Sequence, residues 1–324
     1  MEIVKRKEFE KTPVLEVGKW NIPLYFMFAL LLFFFGNLGQ SVLVQGTGLF
    51  YTIFNGGTEE EAMKFLSDVN TVKNFINTNS FGLIVMLFGT LIGIALIIIC
   101  SKLIDKKKLS DLGMVKKGFF KNYGLGVLIG FVLYSFILLI EVLSGTVKFE
   151  GLNAIGVSTL ILIPFALGFM IQSFQEELLF RGYLLSSIAA KNCAISSILI
   201  SSLVFSIVHL LNSSFAILPC INIVLIGIFL GLLYVMTHNI WLVSGFHFIW
   251  NYVQGCIYGI NVSGIVIQDS LLKNTQVVGH DLLNGGGFGT EGSILTTIVI
   301  LFVIIGLLIV MYKKKLIVKC NCKK

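Results

Sequence analysis

Two adjacent carboxylates and an arginine end a long apolar run in the stretch Ser173-Phe174-Gln175-Glu176-Glu177-Leu178-Leu179-Phe180-Arg181-Gly182-Tyr183. An ionised carboxylate in hydrocarbon costs about 2.5 kcal/mol or more, and two neighbouring carboxylates repel each other. On a helix, Glu177 and Arg181 are four residues apart, so Arg181 can neutralise Glu177. Glu176 points about 100° away around the helix, which leaves it free for acid–base chemistry. The alternative is that the stretch has no chemical function and is an ion-paired helix end at the membrane surface.

The composition indicates a membrane protein with many spans. The chain has 324 residues, of which 56% are hydrophobic and only 13% are charged, whereas a soluble domain carries roughly 25% charged residues. The fold class that we predict is all-α, a polytopic membrane protein with about eight transmembrane helices. The net charge of +7 comes from short basic segments that flank apolar runs. This distribution is typical of membrane topology and excludes nucleic acid as a partner.

Eight apolar runs are long enough to span a bilayer: 22–44, 81–100, 123–143, 156–180, 193–211, 215–236, 240–258 and 294–311. We expect the fourth helix to continue through 181–190 along the interface, before a short connection at Lys191-Asn192. The predicted division is an N-terminal cytoplasmic segment with spans one to three in 1–155, a core with spans four to seven in 156–258 that carries the opening motif, and an outer loop, the eighth span and a basic tail in 259–324.

The basic residues predict the orientation of these spans. Segments on one side of the eight-span arrangement hold 20 of the 24 basic residues, and segments on the other side hold four. Because cytoplasmic segments carry the excess of lysine and arginine, both termini are predicted to be cytoplasmic, with 45–80 and 259–291 outside. Only Arg6 and Arg181 are arginine, a lysine bias that indicates an AT-rich bacterial genome. The expected location is the cell membrane, with lipids as partners.

The remaining sequence offers little other chemistry. The six cysteines show no pairing pattern, and Cys320-Asn321-Cys322 is interpreted as a solvated tail with free thiols, with metal binding or acylation as the alternative. Gly285-Gly286-Gly287-Phe288-Gly289 is predicted to be a flexible linker. No chemistry is assigned to His238 or His280. Glu141 is expected at the interface, without a matched partner.

Two more polar pairs occur inside later spans. Phe205 precedes His209 by one helical turn in the fifth, and His247 and Asn251 share one helix face in the seventh. Glu176 lies about 16 residues before the connection at Lys191-Asn192, and His209 lies about 17 residues after it. If both helices are straight, the two side chains lie at similar depth in the membrane. We therefore expect one polar cluster that is reached from the cytoplasm.

Such a cluster suits hydrolysis of an amide. A carboxylate near neutral imidazoles activates water, either as a general base or beside a metal that the imidazoles bind. Asn251 and a histidine could stabilise an oxyanion. The His-Glu-x-x-His motif of soluble zinc peptidases is absent, and no Gly-x-Ser-x-Gly frame or intramembrane Ser/Lys pair occurs. Cysteine chemistry at Cys193 or Cys220 beside His209 is a remote alternative.

Together the motifs resemble a known family. Glu176-Glu177-x-x-x-Arg181, Phe205-x-x-x-His209 and His247-x-x-x-Asn251, in this order on separate apolar helices, are similar to the CPBP family of intramembrane proteases. These are the CAAX-processing and bacteriocin-processing, or Abi-type, enzymes, which are related to the Ras-converting endopeptidase. The resemblance covers about residues 156–258, and Phe180-Arg181-Gly182 and Asn239-Ile240-Trp241-Leu242 add to it.

The resemblance implies an eight-helix protein whose catalytic cavity opens to the cytosol. It implies Glu176 as the base that activates water, with His209 as its partner. His247 and Asn251 would stabilise the oxyanion or help to hold a metal, and Glu177 and Arg181 would support the site. It leaves open a divalent metal such as zinc, with Glu176, His209 and His247 as the ligands. The substrate would be a peptide or protein that reaches the site from the membrane or the cytoplasm.

Several roles stay open at this point. Within the family they include bacteriocin or peptide processing, self-immunity and envelope regulation. A transporter that uses Glu141, Glu176 and Glu177 as a proton or cation path is the alternative from another class, although no internal repeat is visible. A non-catalytic membrane scaffold of the same family is the third.

Overall fold

The computed structural model describes residues 21–153, 159–190, 194–210, 212–214 and 216–314. Most of this chain is helical. The α-helices are α1 (Asn21–Phe54), α2 (Glu59–Ser67), α3 (Val69–Thr78), α4 (Ser80–Leu103), α5 (Phe119–Leu143), α6 (Leu162–Glu177), α7 (Ser186–Ala189), α8 (Ala194–Val208), α9 (Ile217–Thr237), α10 (Ile240–Tyr252), α11 (Asp281–Asn284) and α12 (Ile294–Lys313). Two strands, β1 (Val147–Leu152) and β2 (Leu272–Gln276), accompany them. Two π-helical segments, Leu178–Leu185 and Val253–Ile257, extend α6 and α10.

Five described helices are long and apolar enough to cross a membrane, namely α1, α4, α5, α9 and α12. The chain is therefore a multi-pass membrane protein. The helix α8 has 15 residues, and α6 and α10 are each interrupted by a π-helical segment. The count of about eight spans stays a prediction. The first span is longer than predicted, because the helix that begins at Asn21 continues to Phe54 instead of ending near residue 44.

Side-chain caps set the helix boundaries in the segment 45–80. Thr58 and Glu61 form a capping box at the start of α2, in which each side chain accepts a hydrogen bond from the other residue's backbone N–H. Asp68 caps α3 and Asn79 caps α4. These caps satisfy N–H groups that have no partner within their own helix. The segment between α1 and α4 thus forms two short helices.

The segment from Glu177 to Ile188 is the centre of the bundle. All twelve of its residues are buried, and Arg181 is fully buried. The expectation that 181–190 lies along the interface is therefore wrong. A helix that is buried on every side is packed within a bundle, whereas an interfacial helix exposes one face. The predicted connection at Lys191-Asn192 lies outside the described residues.

Glycines allow α5 and α10 to cross closely. A Cβ atom on Gly126 would lie 2.0 Å from the carbonyl oxygen of Leu242 and 2.8 Å from the backbone nitrogen of Phe246. On α10, a Cβ atom at Gly245 would lie 2.4 Å from the carbonyl oxygen of Tyr123. Small residues at helix crossings let membrane helices pack backbone to backbone. This crossing holds α10, and with it His247 and Asn251, in place.

Replacing Gly126 by alanine should therefore destabilise the protein. Overpacking costs typically 1–3 kcal/mol, and backbone atoms cannot move aside as a flexible side chain can. Gly124 on the same helix is the matched control, because a Cβ atom there would meet nothing within 4 Å. Thermal unfolding in detergent should show a lower midpoint for Gly126→Ala than for Gly124→Ala. Equal midpoints would contradict the close crossing.

The bundle has two ends that differ in structure. One, which we call the sheet end, carries residues 55–79, 144–153 and 258–293, and β1 pairs with β2 there in antiparallel register. The other, the lysine-rich end, carries residues 104–118, 186–190 and 238–239. The backbone N–H of Ile240 donates to Gly113 O, and the indole of Trp241 donates to Val115 O. The described chain is mostly helical, as predicted, and carries this small sheet in addition.

Glu141 is buried at the sheet end and has a partner. Its carboxylate accepts a hydrogen bond of 2.8 Å from the hydroxyl of Thr290. The expectation of an unpartnered interfacial residue is therefore wrong. Thr290 lies 149 positions after Glu141 in the chain, so the local sequence around Glu141 could not indicate the contact.

The glycine run 285–289 is a compact turn, and the expectation of a flexible linker is also wrong. Gly285, Gly286 and Gly289 have φ angles of +80°, +54° and +97°, which only glycine adopts without strain. A Cβ atom at Gly285 would lie 1.8 Å from the carbonyl oxygen of Gly289. The turn leads directly into the helical turn Thr290–Gly292. The described cysteines Cys100, Cys220 and Cys256 are free thiols, and Cys320-Asn321-Cys322 lies outside the described residues.

Candidate active site

The buried ion pair of the motif forms as its spacing predicts. Nη1 of Arg181 donates to Oε1 of Glu177 at 2.7 Å, and both side chains are almost completely buried. The guanidinium also lies 4.5 Å from the ring centroid of Phe205, a cation–π contact that helps to hold the charge away from water. The ion pair fixes the carboxylate of Glu177 at the end of α6, next to α10.

Glu177 has a second partner that the sequence did not indicate. Its Oε1 atom lies 2.9 Å from Nδ1 of His247. A carboxylate can only accept, so Nδ1 carries the proton and Nε2 of the neutral ring is free to accept. Glu177 therefore orients the imidazole of His247, in addition to its pairing with Arg181.

Glu176 occupies a different environment from its neighbour. Its Oε1 atom accepts a hydrogen bond of 2.6 Å from Nε2 of Gln172, and the Gln172 oxygen accepts one of 3.2 Å from Nδ2 of Asn251. The second oxygen, Oε2, lies 3.8 Å from Nε2 of His247 and has no hydrogen-bond partner within the described part of the chain. The Oε1 atom of Glu176 is thus held by the linked amides of Gln172 and Asn251, and its Oε2 atom is available to accept a hydrogen bond.

His209 is oriented by its own helix. Its Nδ1 atom lies 2.7 Å from the carbonyl oxygen of Phe205, and a carbonyl can only accept, so Nδ1 is the protonated nitrogen and Nε2 is free. The expected direct partnership of His209 with Glu176 is not among the described contacts, in which Glu176 pairs with Gln172 and His247. The ring of Phe205 packs edge-on against both His209 and His247.

These side chains meet at one cavity of about 230 Å³. Glu176, His209, His247 and Asn251 all line it. Glu177 and Arg181 are not part of the lining and lie behind it, where Glu177 contacts His247. The remaining polar lining is uncharged. It consists of the hydroxyls of Thr90 and Ser263 and of the amides of Asn37 and Gln40 on α1, Gln172 and Gln175 on α6, and Asn212 after α8.

A third carboxylate, Glu291, lies behind the histidines. It lines a smaller cavity of about 30 Å³ together with His209, His247 and Asn251, a volume that is enough for one water molecule. Its carboxylate accepts hydrogen bonds from the indole of Trp250 at 3.0 Å and from the backbone and hydroxyl of Ser263 at 2.9 and 2.6 Å. Burial raises the pKa of Glu291, although the Ser263 bonds and the histidines oppose this.

Sequence reasoning missed Glu291, which lies in the segment 259–291 that was interpreted as an outer loop. The only local signal is an acidic residue directly before the polar start of an apolar run. The other two histidines were predicted to have no chemistry. His238 ends α9 in a left-handed conformation, and His280 precedes α11. Neither lines the described cavities.

The residues do not fit a metal site. In the ranges that the structure describes, no group of three or more His, Cys, Asp or Glu side chains is placed to hold a metal ion. The ligand set of Glu176, His209 and His247 that the resemblance left open is therefore not formed. The contacts of each Nδ1, with Glu177 and with the Phe205 carbonyl, do not themselves exclude a metal, because metal-ligating histidines commonly hold their second nitrogen in this way.

The cavity lies toward the sheet end of the bundle. Asn212, Ser263 and Ile265 line it and belong to loops at that end. The described ends of the chain lie opposite, since Tyr25 near the start of α1 contacts Lys107 of the lysine-rich end. The predicted cytoplasmic termini and the predicted cytosolic opening of the cavity therefore concern opposite ends of the bundle.

Fold and site together define a class, a multi-pass membrane protein with a carboxylate–imidazole site at a polar cavity. Residues 158–253 match the family model described as "Type II CAAX prenyl endopeptidase Rce1-like". The match falls within 156–258 and confirms the family resemblance. The Rce1-like family is a protease family, which supports protease activity for this chain. No curated protein matches the chain.

Proposed function

We propose that this protein is an intramembrane endopeptidase that uses water activated by Glu176 to hydrolyse a peptide bond in a membrane-associated peptide or protein. The observation that carries the proposal is the meeting of Glu176, His209, His247 and Asn251 at one cavity of about 230 Å³. The Rce1-like match supports the same reaction class.

The proposed chemistry follows from which atoms are held and which are free. Glu176 takes a proton from water, and the water oxygen attacks the carbonyl carbon of the scissile peptide bond. The amide of Asn251, which donates one N–H to Gln172, donates its other N–H to the resulting oxyanion. When the carbon–nitrogen bond breaks, the proton passes from Glu176 to the leaving amine. The free Nε2 atoms of His209 and His247 accept hydrogen bonds that orient the water.

Glu177 and Arg181 support this reaction from outside the cavity. Glu177 holds the Nδ1 proton of His247, which keeps the opposite nitrogen facing Glu176. Arg181 holds the carboxylate of Glu177 in place through the buried ion pair of 2.7 Å. No observation favours the transporter alternative, since Glu141 bonds Thr290 and does not line the described cavity.

The test is hydrolysis by the purified full chain in detergent. Short quenched fluorogenic peptides with uncharged centres should be cleaved, and in isotopically labelled water the new carboxyl terminus should contain one labelled oxygen. Repeating the assay with a chelator separates metal-assisted from metal-free hydrolysis. Absence of cleavage across the peptide set would contradict the proposal, and cation flux through proteoliposomes without cleavage would favour the transporter.

A further inference from the structure

The position of the cavity along the helices indicates from which side it is reached. His209 follows the last residue of α8, and Asn212 follows it in the loop to α9. Ser263 and Ile265 lie beyond the end of α10 and also line the cavity. Of the described lining residues, none belongs to 104–118, 186–190 or 238–239, the lysine-rich end. Water and substrate therefore approach from the sheet end.

The charges of the two ends differ in sign. The described segments of the sheet end, 55–79, 144–153 and 258–293, contain eight acidic residues and four lysines. The described segments of the lysine-rich end, 104–118, 186–190 and 238–239, contain five lysines and two acidic residues. Because lysine and arginine collect on the cytoplasmic side of a membrane protein, this asymmetry orients the lysine-rich end inward. The sheet end then faces outward.

The cavity lining indicates what kind of substrate fits. Its ionisable lining residues within the described chain are Glu176, His209 and His247, which the proposed reaction uses. The other polar groups are amides and two hydroxyls, those of Thr90 and Ser263. Both kinds of group can donate and accept hydrogen bonds, as a peptide backbone requires. Between them lie apolar side chains such as Phe33, Phe169 and Val262. No further charge is present in this lining to pair with a charged substrate side chain.

The side chain of Asn37 also supports a peptide backbone as the ligand of the cavity. Asn37 is exposed on the apolar helix α1, and among the residues that the structure describes its amide donates only to the carbonyl of Phe33 on its own helix. A polar group on a membrane helix is expensive unless it has a partner or water. Its place in the cavity lining, beside Gln40, is explained if a peptide segment passes along α1.

We propose that the cavity receives an extended, uncharged segment of peptide from the extracytoplasmic side of the membrane. The substrate class rests on the proposed hydrolysis, whereas the side of access rests on geometry and charge alone. A peptide or protein outside the cell, or one translocated across the membrane, would thus meet the site, and a cytoplasmic peptide would not.

Cysteine labelling tests the side without requiring turnover. In a variant that lacks the six natural cysteines, single cysteines would replace Ile265 at the cavity, Glu60 on α2 and Lys117 at the lysine-rich end. A membrane-impermeant maleimide should label the Ile265 and Glu60 positions in intact cells, and the Lys117 position only after permeabilisation. Labelling of the Ile265 position only after permeabilisation, or in neither condition, would overturn the inference.

Sealed vesicles of the two orientations test the substrate. A water-soluble quenched peptide with an uncharged centre, added outside, should be cleaved by right-side-out vesicles at a rate at least tenfold above that of inverted vesicles. Faster cleavage by inverted vesicles would overturn extracytoplasmic access while leaving hydrolysis in place. Absence of cleavage in both orientations and in detergent would instead count against the proposed function, and the labelling result would still decide the side.

Discussion

Replacing Glu176 by glutamine is expected to lower peptide hydrolysis by about 10²- to 10⁴-fold, the usual contribution of a general base, in a protein that remains folded. Glutamine keeps the size of the side chain, and its amide oxygen can still accept the hydrogen bond from Gln172. It cannot take a proton from water. The measurement is the initial rate of cleavage of a fluorogenic peptide, together with thermal unfolding of the same preparation.

Glu60→Gln is the matched control for this experiment. It makes the same chemical change on α2, where the side chain is 87% exposed, and should leave the rate unchanged. Adding His209→Ala or His247→Ala to Glu176→Gln should lower the rate little further, because residues that act as a unit are not additive. Wild-type turnover by Glu176→Gln on a verified substrate would show that another group is the base.

Replacing Arg181 by methionine is expected to cost about 3–5 kcal/mol of stability, the usual result of removing one partner from a buried ion pair. Glu177 would be left as a buried carboxylate with only His247 as a partner. Adding Glu177→Gln to Arg181→Met should recover part of the loss, because the uncompensated charge is then absent. The measurement is the thermal or denaturant unfolding of each variant in detergent.

The chain contains a control pair with the same spacing. Glu60 and Lys64 are also four residues apart, with nitrogen and oxygen 3.8 Å apart, but their side chains are 87% and 53% exposed. Lys64→Met should change stability by no more than about 0.5 kcal/mol, as is typical of exposed helix pairs. Equal effects of Arg181→Met and Lys64→Met would contradict the burial of the Glu177–Arg181 pair.

Part of the site could be predicted because it is local. Glu177 and Arg181 are one helical turn apart, and helix geometry alone brings them together. His247 and Asn251 were expected on one face for the same reason, and both line the cavity. Such pairs depend only on the helix that carries them, and hydropathy is enough to predict that helix.

Contacts between distant elements could not be predicted in this way. His247 rather than His209 lies next to Glu176, because α10 brings His247 against the end of α6 while the His209 ring bonds to its own helix. The indole of Trp250 contacts Glu291 at 41 positions' separation. No periodicity in the sequence relates such residues, so their pairing is known only from packing.

By itself the sequence determined that the protein is a multi-pass membrane protein and where its long apolar helices lie. It also determined that Glu177 and Arg181, directly after Glu176, form an ion pair. Composition and helical spacing decide these properties, because they depend on the solvent around each segment and on neighbours within one turn. Only the tertiary structure decided that residues 177–188 are buried, that Glu177 orients His247, and that the cavity lies toward the sheet end. Those properties depend on which helix faces pack together, and many side-chain choices satisfy the same hydropathy pattern.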